Sequence, residues 1–247
     1  MIPRPILVLE INEVPWKVLD LYLNNKDYPN ISKFFESEET YTTISNDDRE
    51  LSPWITWPSF HRGLNNCDHG IRFLGQDPIS FKGVPIWEEY TKKNFSIGIC
   101  GSLQSWPPID PGKNGFYLPD TFALDSRCYP SHLEPIQKFN LDQVKKNGRV
   151  VNKKSFKISD GLRLSKDLIK AGISVHTIKE LVKQLSFEHF YPYRKSYRPI
   201  FQGVLFWDIF CKCFNSHNPP SFSTYFTNHI AGLMHRYWHH IFWQDED

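Results

Sequence analysis

Residues 5–11, Pro5-Ile-Leu-Val-Leu-Glu-Ile11, are apolar at nearly every position. A run without polar alternation predicts a strand buried on both faces, as in a parallel sheet. Phe95-Ser-Ile-Gly-Ile-Cys-Gly101 predicts a second strand of the same kind, and the β-branched stretch 40–44 a third. Between them the apolar spacing is helical. Residues 14–23 carry Val18, Leu19, Leu21 and Leu23 behind Pro15 in the first turn, a second helix starts at Pro29, and a third covers 85–93. Strand and helix therefore alternate through the first hundred residues. That pattern argues for an α/β sheet with right-handed crossovers, with 5–11 and 95–100 parallel and central.

The second half reads differently. Residues 102–129 are rich in Pro, Gly and Asp and predict a long irregular loop, of the kind that carries function. Periodicity then predicts helices over 159–171, 174–190 and 223–241. The basic stretch 145–157 reads as a solvated face and linker. Residues 199–214 are apolar but broken by Gln202, Asp208 and Lys212, which predicts a buried element near an interface. The expectation is one α/β fold. Its mostly parallel sheet is covered by helices on both faces and built from residues 1–125, with 126–247 as a helical continuation packed on the same core.

Composition narrows the function classes. The chain has 247 residues, 40% hydrophobic, enough for a packed core. Its net charge of +2 gives no case for a nucleic-acid partner or an anionic membrane. No run of 18 uncharged apolar residues exists, so no integral membrane segment is expected. Five cysteines at 67, 100, 128, 211 and 213, with no secretory signal at the start, point to free thiols and a cytoplasmic location. Cys211-x-Cys213 with His217 is too tightly spaced for the usual zinc pattern and reads as a buried apolar pair.

Candidate chemistry concentrates in Ser52-Pro-Trp-Ile-Thr-Trp-Pro-Ser-Phe-His61. Thr56 ends a short apolar run, and Pro58 follows where a first helical turn tolerates it. This predicts Thr56 capping a helix that begins near Trp57, with free N–H groups facing an incoming anion. Thr-x-Pro also fits an ordinary capped helix start. Asn12, at the end of the first strand, lies on the same side as Glu10, though a strand-end Asn is also an ordinary turn residue. Near the C-terminus, Asn228 and His235 are seven residues apart and share a helix face, with Ala231 and Gly232 between them.

These segments together resemble the alkaline phosphatase superfamily, in its type I phosphodiesterase/nucleotide pyrophosphatase branch. The resemblance runs through Leu9-Glu-Ile-Asn-Glu-Val-Pro-Trp16, Pro29-Asn-Ile-Ser-Lys-Phe34, Trp54-Ile-Thr-Trp-Pro-Ser59, His69-Gly-Ile71, Ile86-Trp-Glu88 and Ile97-Gly-Ile-Cys-Gly101. It implies a metal-dependent hydrolase of phosphate or sulfate esters, with Thr56 as nucleophile beside two divalent ions, zinc by preference. It implies Asn12, Glu10, Asn228 and His235 as metal ligands and Trp57 and Gln76 as substrate contacts. Asn12 stands where the family has an Asp, and Ala231 where it has an acid one turn before the His. Asp68-His69 mimics the family's later metal pair but falls at the turn closing the nucleophile helix, and reads as structural. The family's last ligands belong to a C-terminal third that has no counterpart here. The resemblance therefore also supports a second reading: a catalytically incomplete or truncated member that binds or assembles, completed by a second copy or another chain.

Overall fold

The computed structural model describes residues 4–23, 25, 27–47, 51–147, 168–214 and 217–242. Its strands are β1 (Ile6–Ile11), β2 (Ile97–Cys100), β3 (Phe116–Leu118) and β4 (Phe222–Thr227). Its α-helices are α1 (Trp16–Leu23), α2 (Pro29–Ser37), α3 (Pro53–Arg62), α4 (Asn66–His69), α5 (Ile86–Lys92), α6 (Glu134–Asn147), α7 (Val175–Phe190), α8 (Arg198–Cys213) and α9 (His229–Ile241). The four strands form one sheet in the order β1-β4-β2-β3, and every pairing is parallel.

Register assigns the two faces. Ile97, Ile99, Tyr117 and Phe222 share one face, where Trp87 of α5 packs on them. Cys100, Phe116, Leu118 and Tyr225 share the other, beneath Ile136 of α6 and Leu205, Ile209 and Phe210 of α8. Helices thus cover both faces, and the fold is α/β. Gly98 is required in β2, because an added Cβ would fall 2.5 Å from the Phe116 ring and 2.8 Å from Ser223 Oγ.

Three expectations need correction. First, β1 is an edge strand, because β4 inserts between it and β2. Leu7, Leu9 and Ile11 remain exposed, since α6 and α8 lie over the inner strands and leave β1 uncovered. Second, residues 39–47 form neither helix nor strand, and Tyr41 and Ile44 are exposed. Their β-branched composition has no sheet neighbour to pair with, and pairing is what stabilises a strand. Third, residues 222–227 are a strand rather than the start of a helix, and α9 begins only at His229.

The remaining helices fall close to expectation. The 174–190 segment is α7, capped by Ser174 Oγ, which accepts a bond from Thr177 N. The 199–214 segment is α8. Most of the expected 159–171 helix and the 148–157 part of the basic stretch lie outside the described residues. The 102–129 loop contains β3 and is otherwise irregular. None of the five cysteines is in a disulfide; Cys211 is exposed, and only Cys213 of that pair packs against the core. Among the described residues no helix is long and apolar enough to cross a membrane.

Candidate functional site

Because all four strands run the same way, their carboxyl ends meet at one edge of the sheet. That convergence brings together residues far apart in sequence, and it is where open α/β sheets hold ligands. The first meeting point is Asn12, buried at the end of β1. Its Nδ2 donates to Asn228 Oδ1 at 2.7 Å, and its Oδ1 accepts from Trp57 Nε1 at 2.9 Å. The ends of β1 and β4 and the middle of α3 are thereby tied together. Glu13, the next residue, has φ of 51°, a left-handed conformation that is uncommon outside glycine. It accepts from Asn12 Nδ2 at 3.3 Å, and its Oε2 lies 2.7 Å from His235 Nε2 on α9.

Below this rim lies a buried polar seam. Glu10, fully enclosed, accepts from Ser102 Oγ at 3.1 Å and lies 3.0 Å from His61 Nε2, and Ser102 Oγ is 2.7 Å from Thr224 Oγ1. The seam links β1, β4, the end of β2 and α3. Glu10 Oε2 and His61 Nδ1 have no partner within it.

Between α3, α8, α9 and the strand ends opens a cleft of about 440 Å³. Trp54, Phe122, Phe206 and Phe226 form much of its apolar wall, and Glu13, Asn140, Gln202, Asn228, His229, His235 and Arg236 its polar part. The first turns of α3 (Pro53, Trp54) and α9 (His229) both reach it. His229 lies flat on α8: a Cβ at Gly203 would stand 2.7 Å from its Nδ1, so only glycine admits the ring there. Thr227 Oγ1 holds that nitrogen at 2.8 Å, and burial pushes the His229 pKa down. The imidazole is therefore held towards its neutral form.

The sequence candidates fare unequally. Asn12, Asn228 and His235 converge on this edge, but Thr56 does not line the cleft. The expectation that Thr56 caps a helix starting near Trp57 is corrected. Ser52 is the N-cap, Pro53 opens α3, and Pro58 sits inside it. Pro53 supplies the fixed backbone angle a first turn favours, so the helix begins one turn earlier. Thr56 Oγ1 bonds back to the Ser52 carbonyl at 3.3 Å. No hydrogen bond joins Thr56 to Asn12 among the described residues; Trp57 makes that contact instead.

Gln76 lies off the cleft. Its Oε1 accepts from Arg72 N at 2.8 Å, and its Nε2 donates to Gly70 O at 2.9 Å and Ser80 Oγ at 2.8 Å, so its amide braces the 70–80 loop. His69 is structural in its contacts. Its Nδ1 accepts from Ile71 N at 3.0 Å, which leaves the proton of the neutral ring on Nε2, 2.9 Å from Ser59 Oγ. Ser59 in turn donates to Asp47 Oδ2 at 2.8 Å. The order Asp–Ser–His, with a protonated Nε2 facing the serine, is the reverse of a nucleophile–base pair.

The zinc expectation meets the donor set directly. A zinc site needs three or four converging N, S or O ligands at about 2.0–2.3 Å. Among the described residues no three His, Cys, Asp or Glu side chains form such a group. Asn12 spends both ends of its amide on Trp57 and Asn228, and Glu10 is sealed beneath α3 with His61 and Ser102. The residues present do not fit the metal.

Asn140, Gln202, Arg236 and Trp54 line the cleft without having been singled out as site residues. A signal existed for Gln202, a lone amide inside an apolar run. Asn140 offered none, since its partner on α8, Gln202, is 62 positions away.

Comparison of the chain with protein-family models, with curated proteins and with solved structures gives no match.

Proposed function

We propose that this chain is a small-molecule-binding α/β protein whose ligand occupies the cleft at the carboxyl edge of the sheet. One observation carries the reading. Asn140 is fully buried on the cleft wall, and its Nδ2 has no protein partner. A buried donor left unpaired costs about 1–3 kcal/mol, and a bound acceptor would recover it. The aromatic wall suits an apolar ligand body. The first turns of α3 and α9, with Arg236 at the rim, favour a negatively charged head, such as the phosphate or sulfate ester that the sequence motifs imply. The test is ligand-observed saturation-transfer NMR with phenyl phosphate. Wild type should give transfer that Gly232→Phe abolishes, because Gly232 lines the cleft and a side chain there meets open space. Absence of transfer, or equal transfer to both proteins, contradicts the reading.

Ester hydrolysis through Thr56 is the second reading. It is favoured by one feature, that the helix bearing Thr56 starts on the cleft. It requires Thr56 Oγ1 to leave the Ser52 carbonyl. Turnover of bis(4-nitrophenyl) phosphate, lost in Thr56→Ala, would establish it; an inert protein would leave binding alone.

A further inference from the structure

Two amides meet on the cleft wall. Gln202 Nε2 on α8 donates to Asn140 Oδ1 on α6, and both residues line the cleft. Each primary amide has one accepting and one donating end. Their mutual bond uses one end of each, leaving the Asn140 NH₂ and the Gln202 carbonyl. Rotating both amides by a half-turn swaps the roles, yet still leaves one donor and one acceptor. The edge left over is thus a donor–acceptor pair whichever orientation holds. The Asn140 end is buried and unpartnered, so it carries the cost of an unmade hydrogen bond that a ligand acceptor would recover. Phe206 and Phe226 stand on the same wall.

We infer that the cleft recognises a planar ring bearing a cis-amide edge, a lactam or a carboxamide. The ligand carbonyl accepts from one wall amide while the ligand N–H donates to the other, and the aromatic side chains hold the ring. This rests on the cleft being a binding site, and adds what the inner wall selects. A site built to pair a donor and an acceptor rejects analogues that lack one of them, because its own buried group is then left unpaired. Arg236 and His235 remain at the rim for any charged substituent.

Isothermal titration with 2-quinolinone, N-methyl-2-quinolinone and 2-naphthamide tests the inference. Wild type should bind 2-quinolinone at least about tenfold more tightly than its N-methyl derivative, which lacks the donor. Binding of 2-naphthamide as well would show that a carboxamide outside the ring serves; its failure would narrow the class to lactams, and both outcomes support the shared edge. The variant Asn140→Leu/Gln202→Leu replaces both amides together and should reduce the discrimination to near unity. If that variant does not fold, Gln202→Glu, which leaves two acceptors and no donor on the wall, should weaken 2-quinolinone binding at least about tenfold, because the ligand carbonyl loses its partner. Equal wild-type affinity for the lactam and its N-methyl derivative, discrimination unchanged in the double variant, or 2-quinolinone affinity unchanged in Gln202→Glu overturns the inference. If phenyl phosphate still binds in any of these cases, the cleft reading survives alone. No binding of any of the three rings overturns the inference as well.

Discussion

β2 is buried at all four residues, whereas Ile6, Leu7, Leu9 and Ile11 of β1 each keep 41–47% of their surface. The two strands, with β4 between them, nevertheless end in the same polar seam, where Glu10 of β1 meets Ser102 just beyond β2. β2 is held along its whole length by packing from both faces. β1 is held by its ladder to β4 and by buried polar contacts at its carboxyl end. The part of β1 that is fixed most firmly is therefore the part that builds the site. An edge strand can carry binding residues if its functional end is locked from below.

The largest test of that contrast is Glu10→Ala. Removing one partner of a fully buried polar pair should cost about 3–5 kcal/mol in denaturant unfolding. A loss below about 1 kcal/mol would mean that the seam does not anchor β1. Next comes a matched pair of truncations. Ile99→Ala in β2 should cost about 2–5 kcal/mol, while Leu9→Ala in β1 should stay within about 0.5 kcal/mol. Equal costs would erase the difference between the strands.

A third effect follows from pH. Burial pushes the pKa values of His69 and His229 below the ordinary imidazole value. The unfolded chain then binds protons more readily, so their contribution is fully present above about pH 6.5 and is lost as pH falls towards the depressed values. Asp120 acts in the opposite sense. Burial raises its carboxyl to about 6, so the folded state takes up that proton first and gains stability from about pH 6 down to about pH 4. Chemical denaturation between pH 7 and pH 5 should show a smaller loss of stability in His229→Gln than in wild type. An unchanged slope would contradict the enclosed, neutral imidazole on the cleft wall. The smallest effect on stability is expected for Gly203→Ala. It gains helix propensity of about 1 kcal/mol but displaces the His229 ring, so binding of phenyl phosphate should weaken while the fold holds. Undiminished binding would remove His229 from the site.

The apolar runs at 5–11 and 95–100 announced strands because a β-rich run of that length suits little else. They did not announce which strand would be interior. That depended on Phe222–Thr227, whose β-branched and aromatic residues were absorbed into a helical reading of 223–241. β3 was hidden for another reason: three residues inside a Pro- and Gly-rich loop carry no usable period. That Asn12, Asn228 and His235 would come to the same edge of the sheet was legible, since strand ends and helix faces follow from local spacing. Thr56 was misplaced by one helical turn because two prolines compete to open the same helix. Asn140 and Gln202 come together only through the packing of α6 beside α8, a long-range fact that no local spacing encodes.

The most direct measurement is the indole N–H signal of Trp54 in ¹⁵N-labelled protein during titration with phenyl phosphate. Trp54 stands on the cleft wall in the first turn of α3, so its indole signal should move progressively to saturation in wild type and stay still in Gly232→Phe. A Trp54 signal that stays fixed while phenyl phosphate binds would place the ligand elsewhere and contradict the cleft as the functional site.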